Sequence, residues 1–121
     1  MRIGQSTDIH RFAENRKLVL GGVEIPYEKG LLGHSDADAL THAVAEAILG
    51  ALALGDLGYH FPDTDPKWEG VNSLIILKEV GKMMRDLGYR IGNIDSLILI
   101  EKPKMAPHIE EMRHNFAEAL D

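Results

Sequence analysis

A chain of 121 residues is long enough for one domain with one modest core. Its 19 acidic and 13 basic residues give a formal net charge of -6, which excludes a general attraction to nucleic acid or an anionic membrane; an anionic ligand must be held locally. The absence of cysteine excludes disulfides and thiolate zinc sites and suits a reducing cytoplasm, so any zinc must use histidine and carboxylate ligands, as catalytic sites do.

The N-terminal stretch Met1 to Asp8 has no apolar signal core. Asp8-Ile9-His10 follows, and on a strand over residues 1–12 the carboxylate and the imidazole point to the same side. Such a pair can bite one divalent ion, and it equally suits a strand with a solvated polar face. Residues 16–25 read as a second strand with a turn or bulge at Gly21-Gly22, and 26–30 as loop.

The densest chemistry lies in Gly33-His34-Ser35-Asp36-Ala37-Asp38-Ala39-Leu40-Thr41-His42. Asp38 is placed as an N-cap or first-turn acid, and a helix is expected over 38–54. Leu40, Val44, Ala47, Ile48, Ala51 and Leu52 make its apolar stripe. Asp38, His42 and Glu46 occupy another stripe, one turn apart. His34 and Ser35 precede the helix start, where free N–H groups favour an anion. His42 can complete a three-ligand site with Asp8 and His10, leaving a fourth position open. A metal ligand beside an anion site suggests phosphate chemistry; a capped helix with two solvated histidines accounts for the same residues. The apolar run 43–54 is too short to span a bilayer and is broken by Glu46.

Glycines, prolines and aspartates between Gly55 and Pro66 predict an ordered loop. That loop can present Asp56 and Asp63 to a polyol and Phe61 to an apolar part of a ligand, or simply form local Asx turns. Asn72 or Ser73 then caps a helix over 73–87, with Leu74, Leu77, Val80, Met84 and Leu87 inward and Gly88 closing it. Residues 89–100 read as a strand whose apolar end, Leu97 to Ile100, suggests burial on both faces by a core or a partner subunit. Lys104 lies in the following loop, placed to meet a phosphate or water, and Pro107 suits the first turn of a helix over 107–120. The expected architecture is α+β: a single domain over 1–121, with a mixed sheet covered on one face by these helices. A small core and an apolar strand also point to a homotrimer.

Four blocks taken together, Asp8-x-His10-x-Phe12, His34-Ser35-Asp36-x-Asp38…His42, Gly55-Asp56-x-Gly58-x-x-Phe61-Pro62-Asp63-Thr64-Asp65 and Pro103-Lys104-Met105, resemble the 2-C-methyl-D-erythritol 2,4-cyclodiphosphate synthase family in order and spacing. The resemblance covers all 121 residues. It implies a homotrimer with sites between subunits. It also implies conversion of 4-diphosphocytidyl-2-C-methyl-D-erythritol 2-phosphate to the cyclic diphosphate with release of CMP. The matched zinc ligands are Asp8, His10 and His42, and a second ion, Mg²⁺ or Mn²⁺, is expected on the diphosphate. His34 and Ser35 match catalytic positions that contact substrate phosphate. Asp56, Gly58, Phe61 and Asp63 match the methylerythritol pocket. Ile100, Pro103, Lys104, Met105 and Ala106 match a cytidine-binding segment contributed by a neighbouring subunit. The family pattern continues past Asp121 with a Thr-Thr-Glu-containing stretch and final strands. It also differs at Gln5-Ser6-Thr7, where a glycine and an aromatic are usual, and at Glu46, where Asp is usual. Two rival expectations remain beside the cyclase: a metal-dependent phosphoester hydrolase and a non-catalytic trimeric binding module.

Overall fold

The computed structural model describes residues 1–121. Four short strands, β1 (Phe12–Glu14), β2 (Leu18–Leu20), β3 (Val23–Ile25) and β4 (Lys29–Leu31), precede four helices, α1 (Ala39–Ala51), α2 (Leu57–His60), α3 (Ser73–Asp86) and α4 (Ile109–Leu120). Single 3-10 turns lie at Pro66–Trp68 and Ala106–His108.

Residues 18–25 form a hairpin: of the turn or bulge expected at Gly21-Gly22, it is the turn that forms. Gly21 and Gly22 both have positive φ, 59° and 75°, which suits a two-residue turn matched to strand twist. Leu18 pairs with Ile25 and Leu20 with Val23 in antiparallel register. These four side chains are buried, while Glu24 faces out, so one face of the hairpin joins the helical core. β1 pairs antiparallel with β4, Phe12 opposite Leu31. The expected mixed sheet is therefore two separate two-stranded antiparallel sheets. The reason is that the segments read as strands at 1–12 and 89–100 find no ladder partner within the chain apart from β1 at the end of the first.

The helices follow the predicted pattern with shifted faces. α1 packs on α3, and α3 on α4. On α1 the buried set is Leu40, Thr41, Val44, Ala45, Ile48 and Leu49, one position off the stripe expected through Ala47 and Ala51. The N-terminal arm covers that other edge. On α3 the buried set is Ser73, Ile76, Leu77, Val80, Gly81 and Met84, and Leu87 is exposed beyond the helix end. Asn72 is the cap of α3, its side chain accepting from Leu74 N. α4 carries Glu110 and Glu111 in its first turn, where the helix dipole favours acids.

The hairpin turn meets three helices at once. A Cβ on Gly21 would lie 2.5 Å from Met112 Cγ of α4, and one on Gly22 would overlap Leu74 of α3. Asn115 Nδ2 donates to Gly21 O at 3.0 Å. Asp38, the N-cap of α1, closes the arrangement from the other side. Its carboxylate is fully buried and accepts from Gly21 N (2.9 Å), Gly22 N (2.7 Å), Thr41 N (3.0 Å) and Thr41 Oγ1 (2.7 Å). Burial pushes the Asp38 carboxyl up, and these four donors work against that by stabilising its ionised form. Asp38→Ala strands three buried N–H groups and removes the cap. It should cost on the order of 3 kcal/mol or more, read as a lowered urea midpoint with unchanged slope.

Candidate metal and anion site

Residues 4–10 run along α1 from its last turn toward its first. Gly4 lies against the Ala47 carbonyl and the Ala51 methyl so closely that any Cβ there would collide with the backbone. Ser6 Oγ donates to Glu46 Oε1 at 3.2 Å, and Asp8 Oδ2 lies 3.5 Å from His42 Nδ1. Side chains 6, 8 and 10 turn inward while 5, 7 and 9 are exposed, the period-two alternation expected of this stretch. The arm thus delivers Asp8 and His10 to His42 by lying on the helix that carries His42.

The three candidate ligands meet. One ligand atom from each of Asp8, His10 and His42 falls within 4.8 Å of the others. His10 Nε2 is 3.1 Å from Asp8 Oδ2. His10 Nδ1 is 2.7 Å from Leu32 O, an acceptor only, so Nδ1 carries the proton and Nε2 turns its lone pair inward. Leu32 is itself held from both sides: Arg16 donates to Leu31 O at 2.5 Å and to Gly33 O at 3.0 Å. Gly33 lies under the His10 ring, where a Cβ would be 3.0 Å from Cε1. His42 Nε2 contacts Ser35 Oγ (3.0 Å) and Ser73 Oγ (2.7 Å).

The electrostatics suit a cation. Burial opposes the charged form of Asp8, yet hydrogen bonding to His42 and the nearby His10 outweigh it and hold the carboxyl below its ordinary range. Burial likewise opposes a charged His42, but Asp8, helped by Asp38 and Asp36, raises its pKa above the ordinary value. The cluster therefore attracts positive charge, whether a proton or a metal. Two imidazoles and one carboxylate, each partly exposed and each imidazole anchored through its other nitrogen, suit a three-ligand metal site with an open position.

The anion side differs from expectation in one respect. The Asp38 carboxylate occupies the α1 N-cap and takes Thr41 N, so the helix end is already served by an acid of the chain. Any phosphate beside His34 and Ser35 must be met by side chains. His34 Nε2 is buried with no partner, and the mostly buried Ser35 points its hydroxyl at His42.

The expected loop at 55–66 contains a helical turn, α2. Asp56 caps α2, accepting from Tyr59 N at 2.9 Å. Gly58 is exposed, and Phe61 is buried edge-on against Trp68 at 4.9 Å. Asp63 is exposed and makes no hydrogen bond. The end of the loop is fastened to the metal-site loop by Gly70 N to His34 O (3.3 Å) and Asp36 N to Val71 O (3.2 Å). Ile100 and Met105 pack partly against the core. Pro103, Lys104 and Ala106 lie with them, and no hydrogen bond or ion pair ties any of the five to the Asp8 cluster. Two residues that the motif reading gave no site role do touch it: Asp36 accepts from the Ser73 hydroxyl, and Ser73 contacts His42. Asp36 lies inside the dense motif, and Ser73 carries in sequence only the sign of a helix cap.

Residues 1–121 match the YgbB family along their whole length. A relative from Clostridium beijerinckii, named 2-C-methyl-D-erythritol 2,4-cyclodiphosphate synthase, is 62% identical over 121 residues, covering 100% of this chain and 77% of the relative. The bifunctional IspDF structure from Campylobacter jejuni superposes with a TM-score of 0.93 at 42% identity, covering 99% of this chain and 32% of that one. A 2C-methyl-D-erythritol-2,4-cyclodiphosphate synthase structure with CDP bound superposes with a TM-score of 0.82 at 37% identity, covering 98% and 79%. Identity at this level over the whole chain, with the metal cluster and its loops in place, establishes that the chain belongs to the YgbB family of 2-C-methyl-D-erythritol 2,4-cyclodiphosphate synthases.

Proposed function

We propose that this chain is a cyclase. It converts 4-diphosphocytidyl-2-C-methyl-D-erythritol 2-phosphate to 2-C-methyl-D-erythritol 2,4-cyclodiphosphate and releases CMP, in isoprenoid precursor synthesis in the cytoplasm. The observation that carries the reading is the Asp8, His10, His42 cluster with His34 and Ser35 beside it, in a chain whose relatives bear that enzyme's name.

The reaction is a phosphoryl transfer within one molecule. The 2-phosphate oxygen attacks the β-phosphorus, and the bond to the CMP oxygen breaks. Nucleophile and electrophile share one substrate, so no covalent protein nucleophile is needed; folding the substrate for in-line attack and neutralising charge do the work. Asp8, His10 and His42 would hold a zinc ion, which would supply Lewis-acid charge to the reacting phosphates, and a second divalent ion, Mg²⁺ or Mn²⁺, would add to that neutralisation. Ser35 donates its hydroxyl to a phosphate oxygen, and His34 offers its unpartnered Nε2. Asp63, free of internal bonds, accepts from methylerythritol hydroxyls. Asp56, Gly58 and Phe61 shape that pocket, Asp56 by holding α2 and Phe61 through its packing on Trp68.

Ile100, Pro103, Lys104, Met105 and Ala106 receive the cytidine half from a neighbouring subunit of a homotrimer. Leu97 and Leu99 support this assembly, being 78% and 88% exposed, a costly apolar edge for a monomer. Sedimentation at micromolar concentration should give three times the chain mass; monomer alone would count against it. No helix of the chain is long and apolar enough to cross a membrane, and the charge of -6 gives no general hold on nucleic acid.

Product analysis tests the activity: cyclic diphosphate plus CMP is expected, and a hydrolysed substrate alone would support a phosphoesterase instead. Asp8→Asn and His42→Ala should each abolish zinc retention while leaving far-ultraviolet dichroism unchanged, because two protein ligands are too few for a stable site. The two loop aspartates should separate. Asp63→Ala, which breaks no internal bond, should leave the melting temperature alone and lower kcat/KM by about one to two decades, the worth of a charged hydrogen bond. Asp56→Ala removes a helix cap and should lower the melting temperature as well.

A further inference from the structure

Ser73 opens α3, yet the capping there is done by Asn72. Its side chain is fully buried and lies between an imidazole and a carboxylate. Both Asp36 oxygens already act as acceptors, Oδ2 from Ser73 N at 2.8 Å and Oδ1 from Asp38 N at 3.1 Å. The Ser73 hydroxyl therefore gives its proton to Asp36 Oδ1. What Ser73 Oγ has left for His42 Nε2, 2.7 Å away, is a lone pair. Nε2 must then keep its proton, and Nδ1, the nitrogen 3.5 Å from Asp8 Oδ2, is the one that gives up its proton and turns a lone pair to a metal. The same proton count reaches Ser35. Its Oγ is 3.0 Å from Nε2, but a protonated nitrogen cannot accept, so the Ser35 proton is free to point elsewhere.

We propose that Asp36 and Ser73 are positioning residues that fix the tautomer of His42, so that Nδ1 ligates the metal and the Ser35 hydroxyl proton stays available to an anionic substrate group. The inference rests on the reading of Asp8, His10 and His42 as metal ligands. It gives the metal site two anchors of different kinds: a backbone carbonyl, Leu32 O, for His10, and a serine backed by a carboxylate for His42. Groups of this kind typically contribute a ten- to hundredfold share of metal affinity.

The test uses the whole chain, with zinc as the probe. Dissociation constants are measured by chelator competition for the unsubstituted protein and for Ser73→Ala, Asp36→Asn and Ser35→Ala. Ser73→Ala keeps the backbone bond from residue 73 to Asp36, so it is the variant least disturbing to the fold. Ser73→Ala and Asp36→Asn should each weaken zinc binding about ten- to hundredfold, and Ser35→Ala should leave it near the unsubstituted value. In zinc-loaded protein with ¹⁵N-labelled histidine, His42 should show a slowly exchanging Nε2–H resonance that disappears or exchanges rapidly in Ser73→Ala; a merely structural serine would not move that signal. Unchanged zinc affinity and resonance in Ser73→Ala, or an equal loss of affinity in Ser35→Ala, would overturn the proposal. An unsubstituted protein that binds no zinc would instead remove the metal reading itself.

Discussion

The buried Asp38 carboxylate is the constraint on which the rest of the chain is arranged. It is the N-cap of α1, and it also takes the two N–H groups of the Gly21-Gly22 turn. A two-residue turn has no internal partners for those outward donors, and here they point into protein. One carboxylate answers both needs at once: orphan donors at a helix start and orphan donors at a hairpin tip. The hairpin tip is in turn wedged between Leu74 of α3 and Met112 of α4. Strand, turn and three helices are thus referenced to one side chain. The site inherits that rigidity, because the loop bearing His34, Ser35 and Asp36 ends at Asp38, and His42 lies one turn beyond it on α1.

A second constraint is the N-terminal arm. It makes no ladder, so its place is set by side chains and by the missing Cβ of Gly4. Ser6 and Glu46 hydrogen-bond each other, and Leu57 N at the start of α2 donates to Glu46 at 3.4 Å. The arm, α1 and α2 are therefore joined one turn from His42. Asp8 stays within reach of His42 because this contact lies two residues before it.

Much of the local structure was legible because it rests on short-range chemistry. Asp38 as a cap, Asn72 as a cap, Gly88 after α3 and the three long helices follow from neighbours in sequence. The strands at 1–12 and 89–100 were misread because a strand is defined by its partner, and alternation in one segment says nothing of what lies beside it. The burial stripe of α1 was one position off for a similar reason: the arm that covers Ala47 and Ala51 is forty residues away in sequence. The metal cluster could be read because Asp8 and His10 have strand spacing and His42 sits on a strongly signalled helix. Asp36 and Ser73 could not, since a serine 31 positions from His42 gives no local sign that it will meet an imidazole. The one-turn helix α2 needed only its Asp56 cap to be weighed against two nearby glycines.

The two halves of the candidate site stand in different physical states within one chain. The metal half is self-contained: each imidazole has one nitrogen fixed by the chain and one turned to Asp8, and the charge balance favours a cation. The segment at 100–106 is anchored to the core through Ile100 and Met105, while Glu101, Lys102, Lys104 and Ala106 are exposed. Just before it, Ile98 packs inward while Leu97 and Leu99 are exposed, so this stretch spends one face on its own core and leaves the other apolar and open. Apolar alternation of this kind is stable only when a second surface arrives. If that surface is another copy of the chain, the edge that seals the assembly and the segment that completes the site are adjacent in sequence. Closing the interface and filling the site then become a single packing event, and the metal half, already rigid, supplies the fixed point against which the arriving half is set.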